Sequence, residues 1–449
     1  MKITRTRSLP VGRVAALATV GILLAGALAA CSGSTPTASS SANADQIAAA
    51  LQQKSTITYW SWTPQAKDQV AAFEAQYPNV TVNLVNAGTG NDEYTKLQNA
   101  IKAGSGAPDV AQIEYYAMPQ FELSKSLTDL SSYGFSSLQS SYSPSTWTAV
   151  TGGSAIYALP QDSGPMALFY NKAIFDQYGL TVPTTWDEYI ADAAKLHAAD
   201  PTKYITNDAG DAGLTTSLIW QAGGKPYVSS GNSVTVNLQD AGSKKYADMW
   251  NQLVEPGLVS STPSWSDAWW KSLSDGSIAS LVTGAWMPGN LETGALGSAG
   301  NWRVAPLPTY DGTAATAQNG GGGQAVLAQS KNQLVAAGFL QWLNSGPGVS
   351  VFLKGGGFPS TTAQLNDPTF LADAPTYFGG QLINKVLLDA SNSVVPGWQY
   401  LPFQTYANSV FSDTVGQSYA NKSDLNKGLA AWQESSVSYG AQQGFAVNK

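Results

Sequence analysis

The stretch that most constrains this chain is Gly152 to Lys172, GGSAIYALPQDSGPMALFYNK. A short apolar run, Ile156 to Leu159, is closed by Pro160, and a second, Ala167 to Tyr170, is closed by Asn171 and Lys172. Runs of that length bounded by Gly and Pro read as buried strands. The Gly164-Pro165 pair between them sets a sharp turn. Gln161, Asp162 and Ser163 are therefore held at the end of a sheet, where a ligand can be met.

The flanking sequence extends the pattern. Ile57 to Trp62 reads as a strand, Pro64 to Tyr77 as a helix with Val70, Phe73 and Tyr77 at helical spacing, and Val80 to Val85 as an alternating strand. Asp92 to Ala103 follows as a helix with Tyr94, Leu97 and Ile101 inward, and Asp109 to Ile113 as the next strand. Strands alternating with helices predict a mainly parallel α/β sheet with its ligand off the strands' carboxyl ends. Ser61 and Trp62 stand there after the first strand, and Glu114, Tyr115 and Tyr116 after the third. Further along, Asp187 to Ala199, Ala247 to Val254 and Ala336 to Asn344 read as helices, and Val234 to Leu238 as a strand. The residues from Leu371 onward are expected to form mainly helical cover.

A chain of 449 residues exceeds one compact core and predicts two lobes. Four of its 23 bases (Lys2, Arg5, Arg7 and Arg13) lie in the first thirty residues, so beyond them 19 bases face 30 acids, a net charge of −11. Such a surface repels phosphate backbones and argues against nucleic-acid binding. Residues 1–30 read as a signal peptide: three arginines, then the apolar run Val14 to Ala30, short for a membrane span. Leu28, Ala29 and Ala30 directly precede Cys31, the one cysteine, in a lipobox-like arrangement that predicts a lipidated N-terminus. Residues 31–56 are then a flexible tether, poor in large apolar side chains over Ser32 to Asp45, with folding expected from near Ile57.

The crossing stretch, the Tyr-Asn-Lys that ends it, and the Val182-Pro183-Thr184-Thr185-Trp186-Asp187-Glu188 that follows resemble the signature of family 1 extracellular solute-binding proteins. These are maltose-binding-protein-like, sugar-binding subunits of ABC importers. Leu218 to Gly224, Ile278 to Asn290, Asn301 to Pro308, Gln318 to Gln324 and Gly355 to Ser360 resemble later elements of the same family. The resemblance implies a type II-like periplasmic-binding fold with two lobes, each a mainly parallel sheet flanked by helices, joined by a hinge of crossover segments. It places 57–152 plus 323–357 in lobe 1 and 153–322 plus 358–449 in lobe 2. It also implies a tryptophan stacked on a sugar ring, here Trp286.

A pyranose has an apolar C–H face and a belt of hydroxyls, so its site needs flat aromatic surfaces and carboxylates or amides. Among 14 Trp, 20 Tyr and 13 Phe, the candidate platforms are Trp62, Trp265, Trp286 and Trp398, with Tyr115 beside them. The candidate grips are Glu114, Asp162 and Gln324, with Gly322 in a glycine run that allows close backbone approach. That run is no phosphate loop, because no Gly-Lys-Ser/Thr follows. The single histidine, His197, reads as a surface or packing residue, since one histidine assembles no metal set. No G-x-S-x-G, S-x-x-K, H-E-x-x-H or C-x-x-C occurs.

The reading is a non-enzymatic, lipid-anchored, extracytoplasmic binding protein of an ABC importer, monomeric and without cofactor. Its partners are a neutral di- or oligosaccharide and the permease subunits. Two alternatives stay open: a secreted glycoside hydrolase using Glu114 and Asp162 as its carboxylate pair, and an anchored adhesin without a small ligand.

Overall fold

The computed structural model describes residues 44–449, and the signal peptide and Cys31 lie outside the described residues. Residues 44–449 all belong to one compact unit. Its first element is a helix, α1 (Ala44–Leu51), whose Ile47 and Leu51 are buried among Ala336, Ala337 and Leu340. This corrects the expected tether to residue 56 and the start of folding near Ile57. Two apolar residues one helical turn apart are too weak a signal by themselves, and it is the distant helix 333–345 that buries them.

From there the alternation runs as expected: β1 (Ser55–Trp60), α2 (Ala66–Gln76), β2 (Val80–Val85), α3 (Asn91–Ala103) and β3 (Val110–Glu114). The three strands are parallel, in the order β2-β1-β3. The sheet is completed by β4 (Leu159–Pro160) and by a strand from far along the chain, 322–326, which lies antiparallel between β3 and β4. Alternate residues of β3 serve opposite faces, Val110 packing with Phe73 and Phe339, and Ala111 and Ile113 with Tyr94 and Phe121. Residues 153–160, expected in lobe 2, pair and pack here, with Ile156 and Leu159 in the same apolar cluster as Val110. The change of lobe comes at Gln161 to Pro165.

Beyond it, β5 (Met166–Asn171) is the centre of a second sheet. Its neighbours are β6 (Ser280–Gly284) and β7 (Trp302–Pro306), both antiparallel to it. The expected mainly parallel arrangement therefore fails in this lobe: β5 carries the chain away from the junction, whereas β6 and β7 return towards it. Met166 and Leu168 face one core, with Trp186, Trp250 and Trp432, while Ala167 and Phe169 face another, with Trp302, Phe378 and Leu387. Burial on both faces explains the unbroken apolar run.

Local chemistry sets the element ends. Asn171 Oδ1 accepts from Ile174 N (3.3 Å), capping the helix at Lys172–Tyr178. Thr185 and Glu188 form a reciprocal capping box on the helix Trp186–Ala199. His197 sits in that helix as a packing residue, tilted on Tyr204 with Nδ1 2.9 Å from the Lys203 carbonyl.

β8 (Gly322–Val326) brings the chain back to the first sheet and leads into the helix Gln333–Ser345. Three crossovers thus join the lobes, at 161–165, 318–322 and 355–361, and they pair with one another. Asp162 bridges Pro359, Pro165 bridges Gln318, and Asn319 N donates to the Gly164 carbonyl (2.7 Å).

Candidate functional site

The carboxyl ends of β1 and β3 meet the crossovers at one edge of the first sheet. Glu114 ends β3, and its backbone N–H donates to Tyr94 Oη (2.8 Å), which in turn donates to the Glu114 carboxylate (3.2 Å). Trp62 packs edge-on against Tyr94 at 6.1 Å. Burial, reinforced by the Asp162 and Asp211 carboxylates nearby, raises Glu114 to a pKa of about 7, although Tyr94 and Tyr116 hydrogen bonds oppose the shift.

Asp162 sits in the first crossover. Its Oδ1 accepts from the backbone N–H of Gly322 (2.8 Å), and its carbonyl accepts from Tyr115 Oη (2.7 Å). Burial raises its pKa to about 6 against that N–H donation. Asp162, Tyr115 and Gly322 are thereby tied into the hinge itself. Gly320 and Gly321 show why the adjoining run is glycine. Both have positive φ (70° and 86°), and a Cβ would lie 3.0 Å from Trp286 Nε1 at Gly320 and 2.9 Å from the Tyr115 ring at Gly321. One aromatic from each lobe closes on the same two residues.

On the second lobe, β6 ends at Gly284 and Trp286 follows, half-buried, its Nε1 donating to the Asn319 carbonyl (2.7 Å). Asn319 is held in turn by Ser217 and Thr283. Trp265 lies over Trp286 with ring centroids 5.7 Å apart and 28° between planes. It is 53% exposed and has a φ of 69°, rare for a bulky side chain. Trp269 and Trp270 complete the cluster at 5.4 and 5.7 Å from Trp265, Trp269 turned into the core.

Two of the sequence-derived candidates fall away from this edge. Gln324 is buried, with its amide nitrogen donating to Tyr59 Oη (3.0 Å) and Gln161 Oε1 (2.5 Å), so that nitrogen ties the sheet together and only the amide oxygen is left without a partner. Trp398 stacks on Trp220 at 5.2 Å and 8°, with Tyr227 and Tyr400 against its other sides, so it is no open platform.

Other residues come forward in their place. Tyr400 packs against the apolar clusters of both lobes, and Asp211, which caps the helix Ala212–Gln221, lies within electrostatic reach of Glu114. Thr405 meets Gln120 across the lobes, and Gln65 Nε2 donates to the Gly355 carbonyl (2.6 Å). Apart from the Asp211 cap, none of these carries a local sequence signal, because each also acts through a partner more than 90 positions away. Among the described residues no acid or histidine cluster could hold a metal, and no helix is long and apolar enough to cross a membrane.

Residues 59–349 match the family model of the bacterial extracellular solute-binding proteins. The ABC transporter associated binding protein of B. animalis subsp. lactis Bl-04, solved with β-1,6-galactobiose, is 43% identical, with a TM-score of 0.84 over 88% of this chain and 100% of that one. The galacto-N-biose/lacto-N-biose I-binding protein of Bifidobacterium longum, solved with lacto-N-biose, is 30% identical, with a TM-score of 0.77 over 88% of this chain and 98% of that one. The arabinooligosaccharide-binding protein of Halalkalibacterium halodurans is 23% identical over 386 residues, covering 82% of this chain and 86% of that one. The crossovers, the two-lobed α/β architecture and the family match together remove the hydrolase alternative: this chain belongs to the bacterial extracellular solute-binding proteins of the maltose-binding type, whose members are substrate-binding proteins of ABC transporters and not enzymes.

Proposed function

We propose that this chain is the lipid-anchored, extracytoplasmic binding protein of an ABC importer, a monomer that captures a neutral di- or oligosaccharide between its lobes and presents the closed form to the permease. The observation that carries the reading is the convergence of both lobes on the second crossover, where Trp286 and Tyr115 close on Gly320 and Gly321 while Asp162 accepts from Gly322 N and Glu114 pairs with Gly322 in the sheet. Carboxylate acceptors on one side and flat aromatic surface on the other suit the two kinds of surface of a pyranose. Neither carboxylate is in an ion pair, which favours an uncharged ligand over a uronate or a sugar phosphate; Glu114 already accepts from Tyr94 and Asp162 from Gly322, so each offers a sugar hydroxyl only its remaining acceptor positions.

Closure follows if the sugar touches both lobes at once, because a ligand shifts a two-state equilibrium only by its differential affinity for the two states. The crossovers 161–165, 318–322 and 355–361 are the segments able to bend. Cys31 would hold the protein at the membrane. Because the 43%-identical relative was solved with β-1,6-galactobiose, a β-linked galactose disaccharide is the first ligand to test.

The test is tryptophan fluorescence of the form lacking residues 1–31, titrated with neutral di- and oligosaccharides. The expected result is a saturable shift with one glycosidic series and no product. Hydrolysis of the sugar would overturn the reading, as would silence across the panel.

A further inference from the structure

The first turn of α3 holds a side chain that the site described so far does not use. Glu93 is completely buried, and among the described residues no hydrogen-bond donor reaches either of its carboxylate oxygens. None of the ion pairs among the described residues includes it. Lys96, the cation nearest in the same helix, donates instead to the Ala87 carbonyl. A buried carboxylate left without donors is costly, and a nonpolar residue of similar size would ordinarily be more stable there.

Its place in the fold suggests what it is kept for. Glu93 follows the loop 86–90 and adjoins Tyr94, the residue that fixes Glu114 and supports Trp62. The charged and titratable groups facing it are Glu114 from β3, Tyr59 from β1, and Lys96 and Tyr94 from its own helix. It therefore stands at the edge of the sheet where the candidate grips converge. Burial, and next the Glu114 charge, raise its pKa to about 8, as expected of a carboxyl group waiting for a donor.

We propose that Glu93 is a second carboxylate grip of lobe 1, whose two buried, unpartnered oxygens accept hydroxyl hydrogens of the bound sugar beside Glu114. This rests on the sugar-binding function proposed above and assigns a further specificity-determining residue to it. Hydroxyl donors favour the ionised form, whose two oxygens then suit two neighbouring hydroxyls of one ring, so Glu93 selects for a ring that presents such a pair.

The test is calorimetry with β-1,6-galactobiose on the full chain extracted in detergent, comparing wild type, Glu93→Leu and Glu93→Gln, with the melting temperature of each unliganded protein recorded alongside. The expected result is an opposition: Glu93→Leu melts no lower than wild type yet binds at least tenfold more weakly, and Glu93→Gln, which keeps one acceptor, loses about three- to tenfold. If Glu93→Leu does not fold, Glu93→Gln decides. Binding within twofold of wild type in the folded variants would overturn the role of Glu93 and leave the sugar-binding function intact. A lower melting temperature with unchanged affinity would make Glu93 a structural residue and overturn it likewise. Failure of the wild type to bind any sugar of the panel would overturn the function and this inference together.

Discussion

Replacing Trp286 by alanine removes a half-buried indole at the end of β6. One ring face, on the order of 100 Å², would cover the apolar side of a sugar, and at 25–30 cal/mol per Å² this contributes about 2–3 kcal/mol. Affinity should therefore fall roughly 30- to 150-fold. The same change removes the 2.7 Å hydrogen bond from Nε1 to the Asn319 carbonyl, which anchors the second crossover. Trp286→Phe separates the two effects, because it keeps a smaller aromatic face and loses the N–H, whose net contribution is about 1 kcal/mol or about fivefold. Isothermal titration with the sugar identified by the fluorescence screen measures both variants. A loss below about threefold for Trp286→Ala would take Trp286 out of the site. Equal losses for both variants would show that it acts by anchoring Asn319 and not by stacking.

Three further outcomes are expected. Because burial raises Glu114 to about 7 and Glu93 to about 8, their protonated forms are favoured in the fold; the stability they lend is fully present below about pH 4.5, the ordinary glutamate value, and is lost as pH rises through 7 to 8. The unliganded melting temperature should fall over that window while sugar affinity rises, and a melting temperature that is flat from pH 5 to pH 8.5 would refute this assignment. Gly164→Ala would put a Cβ 2.2 Å from the Asn319 carbonyl oxygen and part the first two crossovers, costing about 1–3 kcal/mol in thermal unfolding; an unchanged melting temperature would show that the pairing yields freely. Cys31→Ser should release the protein from the membrane fraction without changing sugar affinity, and retention there would exclude lipidation as the anchor.

Much of the architecture was legible because its causes are local. The period-2 run of β2, the helical spacing of Tyr94, Leu97 and Ile101, and the Thr185–Glu188 capping box each involve neighbours within a few positions. The Gly164-Pro165 break marked the first crossover, which the structure pairs with the other two. Less visible was the antiparallel setting of β5, because an apolar run buried on both faces reads alike in either direction. Helix α1 was missed for a related reason: its two apolar residues gain their meaning only from the helix 333–345.

The site divides in the same way. Sequence alone determined that aromatic and acidic residues would gather at strand ends, and it placed Glu114 and Trp286 there. Tertiary structure decided which of them remain available. Gln324 is engaged by Tyr59, 265 positions away, Trp398 is covered by Trp220, and Asp162 is tied to Gly322. It also brought forward Glu93, whose absent donors are visible only once every neighbour is in place. The physical reason is that an amphipathic period is set by the chain's own geometry, whereas the freedom of a side chain depends on what distant segments leave unpaired around it.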